Sequence, residues 1–359
     1  MIKPHLEKVL KNMNSAGLAQ LLVCAPMSVM YLTGCRVSPG ERLLALIIEA
    51  SGEVKLVSNK LFALTQTEGC ELIEYADTDD TAQVLSECVK DGVLGVDKEF
   101  KCGFALPLLE KRRGLRLTVG SLCVDRARMI KSPEEIDKMR LSSRKNDFVL
   151  RQTYSAVKTG VTEREVADAY RANLKTAGAQ CESFESLICF GANCAEPHHE
   201  TDDTVLAPGD SVILDVGLLL DGYCSDMTRT LFFGTPTDEQ KRIYELVRRA
   251  NAAGRAAVRP GVPLKEVDAA ARRVIEEAGY GKYFIHRTGH NIGTEVHEYP
   301  DVSASSTEVC TPGMVFSVEP GIYLPGKTGV RTEDLVAVTE DGSETLNTLP
   351  RELICLQAD

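Results

Sequence analysis

One pattern in this chain is written twice, and the repetition restricts the fold more than composition does. The segment TGVTEREVADAYRANLKTAG (159–178) matches PGVPLKEVDAAARRVIEEAG (260–279) at 8 of 20 positions, and both read as amphipathic helices. Further on, PGDSVILDVG (208–217) aligns without a gap to PGMVFSVEPG (312–321). The Pro-Gly pair and the final glycine coincide, and Asp215 falls on Glu319. Each segment runs through a turn into a second strand bearing another acid, Asp226 in YCSDMTRT and Glu333 in VRTED. A helix followed by a diacidic hairpin, twice over, predicts a pseudo-twofold domain with four carboxylates at its centre.

The first hairpin leaves two registers open. A Leu219–Gly222 loop sets Asp215 opposite Asp226, whereas a two-residue Asp221-Gly222 turn sets Asp226 opposite Gly217 and makes Asp215 its diagonal neighbour. Both place the acids on one face. In the second hairpin a Pro325–Lys327 loop sets Glu319 opposite Glu333. Facing like charges destabilise a strand pair and burying them costs more, so cations belong between them. Carboxylates shared between ions are the arrangement of a two-metal centre.

Histidine usage points the same way. Five of the six histidines lie in two short stretches: GANCAEPHHE holds His198 and His199, and HRTGHNIGTEVHEYP holds His286, His290 and His297. The second set has helical spacing, but Gly289 and Gly293 argue for a backbone wrapped closely around something. Neutral imidazole is the commonest metal ligand, and neighbouring imidazoles can relay protons. His5 and His199 read as ordinary satisfied polar residues.

The rest of the chain supplies the frame. At 359 residues two domains are expected. AQLLVCA, RLLALIIEA, CELIEYA and VLGVD read as strands, DTAQVLSECVKDG and FALPLLEKRRG as helices between them, and the N-terminal MIKPHLEKVLKNMNSAG as an amphipathic helix. That predicts an α/β domain over 1–126, followed by a second domain over 127–359. The latter opens with a long helix that has Ser132 as N-cap and Pro133 at the first helical position. A net charge of −11 without a Lys/Arg run excludes nucleic acid and anionic membrane as natural partners. No apolar run approaches the length of a membrane span. Twelve cysteines without a C-x-x-C motif suit reduced thiols in the cytoplasm.

The ordered set Asp215, Asp226, His290, Glu319 and Glu333, in contexts LDVG, SDMTRT, HRTGHNIG, SVEPG and VRTED, resembles the metallopeptidases of the pita-bread fold. YLTG (31–34), IKSPEE (130–135) and LNTLPREL near the end resemble their proline-specific branch, aminopeptidase P and prolidase. One departure is Asn291, where the family usually has glycine. The resemblance implies a creatinase-type α/β N-terminal domain and an α+β pita-bread catalytic domain with an internal pseudo-twofold repeat. It also implies two divalent ions per chain (Mn, Co or Zn), held by Asp215, by Asp226 and Glu333 as bridges, and by His290 and Glu319. Glu319 would be the proton acceptor, and His198 and His297 would steady the tetrahedral intermediate. His286 would line the proline pocket, with Tyr323 and Arg331 behind it. The implied substrate is a peptide with proline at its second position, and the implied assembly a homodimer. Competing readings are a catalytically silent peptide-binding relative and another reaction on the same scaffold.

Overall fold

The computed structural model describes residues 1–64 and 68–357, in two units, Met1–Arg128 and Met129–Asp359.

The first unit is built on six strands: β1 (Gln20–Val23), β2 (Ala45–Glu49), β3 (Val54–Asn59), β4 (Glu71–Tyr75), β5 (Gly92–Val96) and β6 (Leu115–Val119). They form one sheet in the order β4-β3-β2-β1-β5-β6. The central strands are apolar on both faces, as covered sheets require. Leu21, Leu46 and Ile48 join Val9 and Met13 of α1 (Lys3–Ser15) in one core. Leu22, Ala45 and Ile47 join Leu85 of α3 (Thr81–Cys88) and Leu108 of α4 (Cys102–Lys111) in the other. Helices α2 (Pro26–Thr33) and α5 (Leu122–Met129) complete the helical layers.

The second unit begins with α6 (Pro133–Thr153), started by a Ser132/Glu135 capping box. Next comes α7 (Glu163–Ala177), followed by β7 (Cys181–Glu182), β8 (Leu187–Phe190), β9 (Ser211–Val216), β10 (Leu218–Leu220), β11 (Tyr223–Cys224) and β12 (Met227–Phe233). After α8 (Asp238–Ala257) the pattern recurs as α9 (Leu264–Glu277), β13 (Gly289–Asn291), β14 (Glu298–Val302), β15 (Val315–Val318), β16 (Gly321–Leu324), β17 (Thr328–Arg331) and β18 (Asp334–Val338). Strands β19 (Ser343–Thr345) and β20 (Cys355–Leu356) are peripheral. The main sheets run β20-β12-β9-β8 and β14-β13-β15-β18-β19, so β8, β9 and β12 of one half answer β13, β15 and β18 of the other.

Of the two open registers, the structure adopts the tighter turn. Thr228 pairs with Asp215 and Met227 with Val216, and Asp221 (φ 49°) and Gly222 (φ 80°) form the two-residue turn. Asp226 therefore faces Gly217, where a Cβ would lie 2.2 Å from the Ser225 carbonyl oxygen. Its repeat partner, Gly321, is fixed the same way, because a Cβ there would overlap the Tyr323 ring. In the second hairpin Gly321 pairs with Arg331 and Leu324 with Thr328, which carries Glu319 opposite Glu333.

Strand periodicity decides which side the acids face. Val212, Leu214 and Val216 of β9 pack outward on Val166 and Tyr170 of α7, so Asp215 points inward. On β15, Phe316 and Val318 pack on Leu264 and Val267 of α9, which turns Ser317 and Glu319 inward. The two halves meet along a polar seam in which the Glu333 amide donates to the Thr228 carbonyl at 3.1 Å and Thr230 Oγ1 to the Arg331 carbonyl at 2.8 Å.

Candidate metal centre

Between the inward faces lies a cavity of about 730 Å³. All five acids and histidines of the expected ligand set line it, Asp215, Asp226, His290, Glu319 and Glu333, together with His198, His286, His297 and Arg331. Tyr323 stands directly behind, fully enclosed. Despite its helical spacing, the second histidine set lies on no helix: His286 lies in the segment before β13, His290 on that strand and His297 beyond it. Gly289 allows the strand to approach the Ser317 carbonyl, which a Cβ would meet at 1.9 Å. Gly293 does the same for the Glu298 carboxylate. Asn291 sits at a bulge, its side-chain amide donating to the Pro300 carbonyl at 3.3 Å.

Charge is poorly balanced here without a cation. One ligand atom each from Asp226, His290 and Glu333 lie within 4.8 Å of one another. Asp226, Glu333 and His290 are all buried. Asp215 Oδ1, Asp226 Oδ1 and Glu333 Oε1 are buried without a hydrogen-bond partner among the described residues, an expensive condition for carboxylates unless something else satisfies them. Burial, reinforced by Asp215 and Glu319, holds the Asp226 carboxyl well above the usual carboxylate range. Burial with Asp226 and Glu319 does the same to Glu333. Burial lifts Glu319 to about 7 despite the opposing charge of Arg331.

His290 is held neutral, with one ring nitrogen free to ligate. Burial, helped by His297, pushes it down to about 3. Its Nδ1 lies 3.2 Å from the Asn291 carbonyl, which can only accept, so the Nδ1 proton is fixed there and the Nε2 lone pair is free. That Nε2 faces Glu319 at 3.4 Å and Asp226 at 3.7 Å. The ring of His297 stands edge-on at 4.2 Å from His290. These donors fit divalent cations: three unsatisfied carboxylate oxygens and an oriented imidazole converge on one enclosed space.

Asp215 differs from the other three acids, because Arg331 Nη2 donates to its Oδ2 at 2.5 Å. Arg331 Nη1 also donates to the Tyr323 hydroxyl at 3.0 Å, and that hydroxyl lies 2.8 Å from His286 Nε2. His286 Nδ1 lies 2.7 Å from the Arg287 carbonyl, so it carries the proton and Nε2 accepts from Tyr323. Burial, with Arg331 nearby, pushes His286 down to about 4. With both nitrogens engaged, His286 can offer the cavity only its carbon edge and face.

Sequence reasoning missed the small hydroxyls that orient these side chains. Thr228 Oγ1 donates to Glu333 Oε2 at 2.9 Å and accepts from Arg331 Nε. Ser317 Oγ accepts from the His290 amide and donates to Glu319 Oε1 at 3.2 Å. Both stand two residues from an acid on the same strand face, a period-two signal present in DMT and SVE. Phe184, Leu187 and Val296, which supply the apolar lining, had no comparable signal.

A second group of ligand-type residues, Glu163, His199 and Asp202, is already saturated. Glu163 Oε1 accepts from the Phe190 amide (2.7 Å) and Asn193 Nδ2 (2.9 Å), while Oε2 lies 3.1 Å from the Asp202 amide and 2.9 Å from His199 Nε2. It clamps the segment that carries His198 and has no lone pair left for a metal.

Residues 137–340 match the model of metallopeptidase family M24, and residues 5–130 that of the creatinase/prolidase N-terminal domain. The chain belongs to metallopeptidase family M24. It is 38% identical over 352 residues, 95% of this chain and 98% of the relative, to an uncharacterized peptidase of Staphylococcus saprophyticus. Among solved structures it is similar to a prolidase from Thermococcus sibiricus (TM-score 0.93, 34% identity, 99% of both chains). It is also similar to a dipeptidase from Pyrococcus horikoshii OT3 (TM-score 0.91, 33% identity, 98% of this chain and all of that one). The family uses divalent metals, and its pita-bread fold with a creatinase-type N-terminal domain is the fold described above.

Proposed function

We propose that the chain hydrolyses the peptide bond before proline, as an Xaa-Pro dipeptidase or Xaa-Pro aminopeptidase. In this reading residues 1–126 are the creatinase-like domain and 127–359 the catalytic domain. The observation that carries it is the chain of contacts from His286 through Tyr323 and Arg331 to Asp215. A histidine whose nitrogens are both occupied presents an apolar ring surface, which suits pyrrolidine. Its link to Asp215 ties the recognition wall to the charged centre. A tertiary amide before proline lacks the N–H that a general peptidase would bind, so ring shape is what can be read. The structural relatives include a prolidase and an Xaa-Pro dipeptidase from Bacillus anthracis.

Asp215, Asp226, His290, Glu319 and Glu333 would hold two divalent ions, manganese, cobalt or zinc. When bound, such ions polarise the scissile carbonyl and acidify water. Glu319 takes the proton of the attacking water and returns it to the leaving proline nitrogen. His198 and His297, on the cavity wall, donate toward the carbonyl oxygen as it gains charge. The twelve cysteines are all thiols, seven of them buried, which favours a cytoplasmic setting. We also propose a homodimer, which a solution mass near 39.2 kDa would refute.

The test compares Ala-Pro, Ala-Pro-Gly and Ala-Ala with the manganese-loaded protein and after chelation. Metal-dependent cleavage of the proline substrates is expected, the dipeptide and tripeptide separating the two activities. Equal cleavage of Ala-Ala and Ala-Pro would overturn the proline assignment.

A further inference from the structure

The repeated helices share an arginine, Arg171 in α7 and Arg272 in α9, and each grips the segment that follows its helix and lines the cavity. Arg272 Nη1 donates to the Phe284 carbonyl at 3.0 Å and Nη2 to the His286 carbonyl at 2.9 Å. The same guanidinium is held by both oxygens of Asp268, at 3.0 and 3.1 Å, and lies 4.1 Å over the Phe284 ring. Phe284 in turn stands edge-on to the His286 ring at 5.2 Å. Asp268, 1% exposed, also accepts from the Thr288 amide and hydroxyl at 3.2 and 2.7 Å. The Thr288 carbonyl then receives the Glu319 amide at 2.8 Å.

The segment from Phe284 to Thr288 is thus pinned at both ends by one ion pair, with His286 in between. Its backbone is in neither helix nor strand, so the arginine supplies restraint that a ladder would otherwise give. Arg171 plays the matching part on the facing wall. Its Nε donates to Glu182 Oε2 at 2.8 Å, and Glu182 Oε1 holds both the amide and hydroxyl of Ser186. Phe184 and Leu187, within and beside that stretch, line the cavity. Only a planar fork of donors can serve two carbonyls and a carboxylate together; a lysine ammonium cannot reach all three.

We propose that Arg272, locked by Asp268, is a positioning residue for substrate recognition, fixing where His286 meets the residue after the scissile bond. This rests on the Xaa-Pro reading. Loosening the brace changes where the ring sits without removing any proposed ligand, so the loss falls on binding of the proline end rather than on the chemical step.

The experiment measures kcat and KM for Ala-Pro, and the inhibition constant of free L-proline, in manganese-loaded wild type, Arg272→Ala and Arg272→Lys. Both variants are expected to raise KM and the proline inhibition constant together by about tenfold, with kcat changing less than about threefold and bound metal unchanged. Arg272→Lys keeps a cation beside Asp268, so it reports on the carbonyl contacts should the alanine variant fail to fold. A KM and inhibition constant within about twofold of wild type would overturn the proposal, as would loss of metal and kcat in parallel. A wild type that neither cleaves Ala-Pro nor binds proline would instead sink the Xaa-Pro reading.

Discussion

Loading metal into this site should drive protons out of it, because burial holds the acids toward their protonated form. In the metal-free protein Asp226 and Glu333 are held well above the carboxylate range and Glu319 stands at about 7. Ligating carboxylates must be ionised, so binding near pH 7 should release protons. For Glu319 the folded value lies above its ordinary 4.5, so the metal-free fold binds more protons than the unfolded chain. The stability that Glu319 contributes is complete below about pH 4.5 and lost as pH rises through about 7. A gap from 4.5 to about 7 amounts to about 3 kcal/mol, or roughly 6–12 °C in Tm for a domain of this size. Thermal melts of chelated and manganese-loaded protein from pH 5 to 8.5 should therefore diverge as pH rises, the chelated form falling away. Calorimetric titration of manganese in two buffers of different ionisation enthalpy counts the protons. Parallel melting profiles, with no buffer-dependent heat, would refute the claim that these acids are strained toward protonation.

Asp226→Asn should lose metal and activity together, since its carboxylate faces His290 and lies beside Glu333, while His297→Ala should keep metal and lose turnover. Elemental analysis with kinetics separates the two, and an emptied site in His297→Ala would overturn the assignment. His286→Ala should sharply lower kcat/KM for Ala-Pro with metal content intact; unchanged kinetics would reduce His286 to a loop support. Asp334→Asn should cost about 3–5 kcal/mol by calorimetry, because Asp334 is 0% exposed and receives Arg229 at 2.8 Å and Arg351 at 2.6 Å. A loss below about 1 kcal/mol would show that this ion-pair network contributes little.

The repeat was legible because it obeys rules of spacing. Pairing register is fixed by the turn, so Asp221-Gly222 and the Pro325–Lys327 loop already decide which residues face one another. The arithmetic could not choose between the two first registers; the choice came from the left-handed backbone at Asp221 and Gly222 and the absence of room for a Cβ at Gly217. The helical spacing of His286, His290 and His297 is not used as a helix, as Gly289 and Gly293 argue, because local periodicity says nothing about a segment shaped by distant partners. That segment follows Asp268 and Arg272 at one end and Ser317 at the other. In the first unit, β3 and β6 are the strands that the sequence pattern does not reveal. The exposed residues of LRLTV dilute its apolar alternation, and VKLVSN ends in the polar Ser58 and Asn59, which are buried all the same.

The two halves share acids but not their neutralising partners, and this asymmetry is what makes the centre a site. Leu187 pairs with Asp215 on the first sheet, as Thr288 lies against Glu319 on the second. Two residues further along, Cys189 therefore occupies the position that His290 holds in its half. Cys189 is enclosed with Cys194 and Ile213, and burial pushes its thiol well up, so it offers no competing ligand. Asp215, with Cys189 at the register position that His290 holds beside Glu319, takes a counter-charge from Arg331 across the seam. One half supplies a neutral nitrogen donor beside its acid and the other an acid already tethered to His286 through Arg331 and Tyr323. A strictly symmetric repeat would have had either two imidazoles or two arginine-locked carboxylates. The second arrangement would leave less negative charge to hold divalent cations, and the first would lack the link from His286 to the centre.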